Sequence, residues 1–241
     1  KGHYQSLTFQ KFDSLDFEQL MSLLIKCSKN LKVGPNIVSN YAGARLTESH
    51  QFMISSHGME IQQDFYLVGR VLMATAQNEN DTQTRTDGGY LTKCIQSGLE
   101  WIDEAEWLNT STQIGKDALD LLRAPNCPNE KMDLLVSPDQ MYIQIHESIG
   151  HPLELDRILG DERNYAGWSF VKPNDFGHLK YGSDILNVTF DPTMVGQYAS
   201  YNFDECGNPA KKEFLIKDGL LVRGLGSLES QMRLKVPGVA N

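Results

Sequence analysis

The spacing of apolar and polar positions changes several times along the chain. Residues 15–30, LDFEQLMSLLIKCSKN, set Leu15, Leu20, Leu23, Leu24 and Cys27 at helical intervals and predict an amphipathic helix. From 36 to 90 the pattern turns to short stretches with β-branched or alternating apolar residues: IVSNYAGARL, QFMISS, MEIQQDF and LVGRVLMATAQ. With turns at His57-Gly58 and at 78–81, they predict an antiparallel meander. Residues 114–122, which include GKDALDLL, predict a helix, and APNCPNE at 124–130 holds two prolines and two asparagines and marks a boundary. Two regions are expected, 1–128 and 129–241. In the second, MDLLVS (132–137) reads as a buried strand. Ser137-Pro138-Asp139-Gln140 then starts a helix, with Ser137 as N-cap, Pro138 at the first helical position and Gln140 closing a capping box. A glycine-bearing loop at 160–183 precedes strands at LNVTF, EFLIK and LLVRG, the last two joined by Asp218-Gly219. Residues 227–235 predict a final helix, and VPGVAN predicts no clear element. The expected fold class is α+β: an antiparallel sheet with packed helices, then a second α+β region that carries a motif helix.

That motif is HESIGHP, residues 146–152. The familiar zinc-peptidase pattern, HExxH, places two histidines four residues apart on one helical face. Here His146 and His151 are five apart, which on a regular helix separates them by about 140°. A π turn, one residue wider, would bring them together again. Pro152 disfavours helical geometry at His151, and Gly150 tolerates distortion. In such a site the two neutral imidazoles would bind Zn²⁺. Glu147 would accept a proton from a water activated by the metal and pass it to the leaving amine. A catalytic zinc also takes a third protein ligand and keeps one position open. The plain alternative is two hydrogen-bonded histidines with no metal.

Composition narrows the functional classes. The 241 residues carry a net charge of −9, and no basic run exceeds Lys211-Lys212, so direct nucleic-acid binding is not expected. No apolar run reaches the length of a membrane span, and the start, KGHYQSLTFQ, lacks the apolar core of a signal peptide. Cys27, Cys94, Cys127 and Cys206 are scattered without a CxxC pair, which suits reduced thiols in the cytoplasm.

VSPDQMYIQIHESIGHPLELDRILG, residues 136–160, resembles the HExxxH region of the TldD/PmbA family, whose TldD branch shows a pattern like HExxGHxLExD. His146, Glu147, Gly150, His151, Leu153, Glu154 and Asp156 match it. Weaker similarity extends through MEIQQDFYLVGRVL on one side and LNVTFDPT, KDGLLVRGLG and SLESQMRLKVPGVAN on the other, covering essentially the whole chain. The resemblance implies a cytoplasmic zinc metallopeptidase acting on extended or unfolded peptides. It implies an oligomer with a TldD/PmbA-type subunit, His146 and His151 as zinc ligands, and Glu147 as general base. The family also carries the label "modulator of DNA gyrase". It further implies a partial chain, because the family's third zinc ligand is a cysteine near the C-terminus of a chain about twice as long. None of the four cysteines matches that position; Cys206, in DECGNPAKK, reads as part of a hairpin turn. A rival reading is a non-catalytic binding or assembly subunit, since family members lacking the motif exist.

Other features carry less. Glu154 or Asp156 could orient an imidazole. Asp156-Arg157 and Asp161-Glu162-Arg163 read as surface ion pairs. Gly167-Trp168-Ser169 lacks the closing glycine of a nucleophile elbow, because Val171 occupies that place. Gly224-Leu225-Gly226 lacks the third glycine of a dinucleotide loop. His50, His57 and His178 read as isolated turn or surface residues.

Overall fold

The computed structural model describes residues 1–88 and 93–239. β1 (Gly2–Gln5) precedes α1 (Phe17–Leu31). The Asp16 carboxylate caps α1 by accepting the Gln19 N–H, satisfying one of the unpaired donors of the first turn. The short stretches expected next are in fact two long strands, β2 (Ile37–Ile54) and β3 (Glu60–Gln77). They pair antiparallel from Ile37↔Ala76 to Ile54↔Glu60, and the turn between them forms around His57 and Gly58, with Gly58 at φ +88°. The polar residues between the first two of those stretches, such as Glu48 and His50, lie exposed within β2. A ladder with one wet face accommodates them.

β3 is the centre of this sheet. β2 lies along one side. On the other side β1, then β5 (Lys93–Gln96), then β4 (Thr82–Thr86) follow one another along β3. The expected meander's last two positions, 89 and 90, lie outside the described residues. α2 (Glu104–Leu121) begins well before the predicted residue 114. Its buried positions are Trp107, Ser111, Ile114, Gly115 and Ala118, a proper helical stripe whose Ser and Gly hide it from an apolar pattern. Gly115 is where α2 crosses α1: an added Cβ would lie 2.3 Å from the Leu31 carbonyl oxygen. The stripe packs with Leu23, Cys27 and Leu31 of α1 against Leu72, Ala74 and Ala76 of β3.

His50 is not isolated. Its Nδ1 lies 2.7 Å from Asp64 and its Nε2 3.0 Å from Glu48, while His3 of β1 reaches the other Asp64 oxygen at 3.1 Å. The bond to His50 holds the Asp64 carboxyl down at about 2 and raises the His50 imidazole. A carboxyl depressed in the folded state contributes stability that is complete above its unfolded value of about 4 and fades as pH falls toward about 2. Urea midpoints measured across that window should fall more steeply for the wild type than for Asp64→Asn. Parallel curves would show that the His50–Asp64 contact contributes nothing.

Residues 125–137 contain no strand, against expectation for MDLLVS. Leu134 is exposed and Leu135 is 99% exposed. The run has β-strand composition but, among the described residues, no neighbouring strand to complete a ladder. α3 (Pro138–Ile145) follows with Ser137 as N-cap and Pro138 at the first position, as predicted, but the Ser137 side chain makes no capping bond, so the capping box does not form. α4 (Leu155–Leu159) ends at Gly160.

β6 (Val188–Phe190), β7 (Glu213–Lys217) and β8 (Leu220–Leu221) form a small antiparallel sheet. Asp218 and Gly219 both have positive φ, 49° and 75°, as a two-residue type I′ turn requires. The predicted LLVRG strand splits into β8 and β9 (Gly224–Leu225). After α5 (Leu228–Leu234), the terminal segment supplies β10 (Gly238–Val239), parallel to β9, where no element was expected. Ala240 and Asn241 of that segment lie outside the described residues. Leu153, Leu155, Ile216, Leu221 and Val239 form a second apolar cluster. Gln63 and Gln96 tie the two regions together by donating to the carbonyls of Phe203 and Ser200 at 3.0 and 2.5 Å.

Candidate metal centre

The motif residues begin where α3 changes pitch. His146–Gly150 is a turn of π-helix, and the His151 N–H donates to the His146 carbonyl five residues back. The sequence reading required this widening. Gly150 contributes less to it than expected, since it keeps φ −54° and an added Cβ would come no nearer than 3.9 Å to a side-chain atom. The end of the turn is set by Pro152, which starts a 3-10 turn, His151–Leu153. Two bonds from the 160–183 segment support it. Tyr181 Oη donates to the Ser148 carbonyl at 2.6 Å, and Ser169 Oγ donates to the Pro152 carbonyl at 2.5 Å. Ser169 thus has a structural place, and no local pattern points to Tyr181.

The widened turn brings the histidines onto one side, with ring centroids 4.2 Å apart. One donor atom from each of His146, Glu147 and His151 lies within 4.8 Å of the others. Two ligands about 2.0–2.1 Å from a tetrahedral zinc are themselves a little over 3 Å apart, so a small side-chain adjustment closes the set. Two imidazoles and a carboxylate are a suitable donor set for zinc. Among the described residues no cysteine joins the group. Cys206 is exposed in a turn where Asp204 accepts the N–H groups of Cys206 and Asn208, as the hairpin reading expected.

His146 and Glu147 are 57% and 62% exposed, and no residue of α3 is buried. His151 is more enclosed. Its Nδ1 lies 2.7 Å from Glu154 Oε1, whose other oxygen accepts from Arg157 Nε at 2.8 Å. Arg157 therefore pairs with Glu154, and the Asp156 carboxylate accepts the Arg157 backbone N–H. Asp161 likewise pairs across to Arg233 instead of its neighbour Arg163, which lies over the Trp168 ring. His57 carries no assigned role, and His178 contacts the Phe176 carbonyl at 3.1 Å. Gly224 and Gly226 let Leu155 lie against the backbone, with Leu155 side-chain atoms 2.4 and 2.9 Å from where a Cβ would stand.

A fold of this kind, with an α+β second region bearing a His-Glu-His helix, matches known families. The model described as the PmbA/TldA metallopeptidase central domain matches residues 10–124, and that of the PmbA/TldA metallopeptidase C-terminal domain matches residues 129–241. The chain belongs to the PmbA/TldD metallopeptidase family. It is 28% identical over 227 residues to metalloprotease MJ0996 of Methanocaldococcus jannaschii, covering 91% of this chain and 46% of that protein. It is 27% identical over 189 residues to a metalloprotease of Methanothermobacter thermautotrophicus, covering 78% of this chain and 38% of that protein. The chain therefore spans less than half the length of these relatives.

Among solved structures, the fold resembles a proposed modulator of DNA gyrase from Bacteroides thetaiotaomicron, at TM-score 0.72, 16% identity, and coverage of 97% of this chain and 50% of that one. TldE from Thermococcus kodakarensis is similar at TM-score 0.56 and 15% identity, covering 90% and 46%. The metalloprotease relatives imply a metal ion. No helix among the described residues is long and apolar enough to cross a membrane.

Proposed function

We propose that this chain carries the metal-binding helix of a zinc-dependent peptidase acting on extended or unfolded peptides. The observation that carries the reading is the convergence of His146, Glu147 and His151 donors within 4.8 Å despite their five-residue spacing. When bound, zinc would polarise the scissile carbonyl and lower the pKa of a water beside it. His146 and His151 would hold the ion through neutral imidazole nitrogens. Glu147, next to the first of them, would take the proton from the attacking water and hand it to the leaving amine.

The substrate class follows the family resemblance, as does assembly with a second TldD/PmbA-type subunit. The exposed Met141, Tyr142 and Ile145 of the motif helix support such a cover. Direct nucleic-acid contact is not part of this reading. Four free cysteines suit a reducing compartment, and we assign the cytoplasm. Separate apolar clusters support division into regions 1–128 and 129–241.

A second reading, a non-catalytic assembly subunit, is favoured by one observation: among the described residues no third neutral or thiolate ligand joins the two histidines.

Metal content decides between them. Elemental analysis of the purified chain at neutral pH should find near-stoichiometric zinc in the wild type and none in His151→Ala. Histidines alone do not select zinc from nickel, cobalt or iron, so all four are measured. A metal-free wild type, or equal zinc in both proteins, would sink the metal-site reading.

A further inference from the structure

We propose that Glu154 is a positioning residue that fixes the His151 tautomer, and that Arg157 makes its presence decisive. The inference rests on the metal-site reading above and concerns the ring nitrogen left free to face His146 and Glu147.

Local folding explains why Glu154 is where it is. Leu153 and Leu155 are fully buried, and Glu154 between them has extended backbone, φ −64° and ψ 119°, bridged in parallel to Leu225. Alternation along an extended segment sends the Glu154 side chain away from the core, toward the imidazole. Its carboxylate is acceptor-only when ionised. At 2.7 Å from His151 Nδ1 it selects the form in which Nδ1 carries the proton, so that Nε2 keeps its lone pair.

Arg157 occupies the same pocket and would select the opposite form. Its Nη2 is 3.1 Å from His151 Nδ1, and its Nη1 donates to the Ala166 carbonyl at 2.7 Å. A guanidinium only donates. If Glu154 were absent, Arg157, still anchored on Ala166, would donate into a bare Nδ1 and favour the proton on Nε2, where it blocks metal binding. With Glu154 present, Arg157 Nε is held by one carboxylate oxygen at 2.8 Å, and the other oxygen lies closer to His151 Nδ1 than Arg157 Nη2 does, 2.7 against 3.1 Å, so the carboxylate prevails over the guanidinium at that nitrogen.

The tautomer is readable without metal. Long-range ¹H–¹⁵N correlation spectra of the metal-free, ¹⁵N-labelled chain at about pH 8, above the ordinary imidazole pKa, should show His151 protonated on Nδ1. Glu154→Gln should keep that form, because its amide oxygen accepts the same bond. Glu154→Ala should move the proton to Nε2. In parallel, zinc affinity by competition with a chromophoric chelator should fall about 10–100-fold in Glu154→Ala and be largely retained in Glu154→Gln. The double variant Glu154→Ala/Arg157→Ala should bind zinc better than Glu154→Ala alone, an outcome that general destabilisation would not give. A wild-type His151 protonated on Nε2, or a double variant weaker than Glu154→Ala, overturns the proposal. A wild type that binds no zinc removes the metal-site reading instead, and the spectra still decide the tautomer.

Discussion

Replacing Glu147 with glutamine is expected to slow peptide hydrolysis by about 10²–10⁴-fold while leaving zinc content unchanged. The size follows from the role. Positioned proton transfer contributes about that factor, or roughly 3–5 kcal/mol at 1.36 kcal/mol per tenfold. Glutamine keeps the shape and the hydrogen-bonding oxygen but cannot accept the proton. The control matters because Glu147 is itself close enough to be counted with the two histidines as a donor. Loss of activity together with zinc would make Glu147 a ligand. Turnover at the wild-type rate would remove it from the chemistry altogether. The measurement is kcat with an unstructured peptide, with elemental analysis on the same samples.

The second large effect is on stability. Arg70→Met is expected to cost about 3 kcal/mol, read as a lowered urea midpoint at unchanged slope. Arg70 sits in the middle of β3 with no solvent exposure. Its Nε donates to Asp87 at 2.7 Å, its terminal nitrogens reach Glu106 in the first turn of α2, and its guanidinium lies 5.2 Å from the Trp107 ring centroid. The bond to Arg70 holds the Glu106 carboxyl below its usual range. Removing the cation leaves the mostly buried Asp87 carboxylate and the half-exposed Glu106 carboxylate without their shared partner. Methionine fills much of the volume, so the loss reports charge more than cavity. Adding Glu106→Gln to Arg70→Met should then cost little further, since the two residues act as one unit. A loss under about 1 kcal/mol for Arg70→Met would show the network to be dispensable.

The parts of this architecture that were legible in the sequence are those written in local signals. Helix α1 follows from its apolar stripe, the Asp218-Gly219 turn from its residue types, and the start of α3 from Ser137-Pro138. The π turn followed from the five-residue histidine spacing and the proline that ends it. What escaped depends on partners distant in sequence. The stripe of α2 includes Ser111 and Gly115 because α1 passes close by, a fact no local pattern records. MDLLVS has strand composition but lacks a ladder, and composition alone cannot supply one. Asp64 gathers His3 and His50 from two other strands, and Tyr181 reaches the motif across 33 positions, so neither could be paired by eye. Glu154 was visible as a candidate, but Arg157 was assigned to the wrong carboxylate because Asp156 is its neighbour in sequence.

The wide turn at the motif has one more consequence, for how such sites are related to each other. A π turn absorbs a single inserted residue, so the chain leaves it in nearly the direction an uninterrupted α-helix would have taken. Removing that residue would give a four-residue interval with both rings still convergent and Leu153 and Leu155 still facing their core. The two spacings are thus one insertion apart in sequence. A pattern with a fixed gap would sort them into different classes, although each sets two imidazoles on one side of its helix.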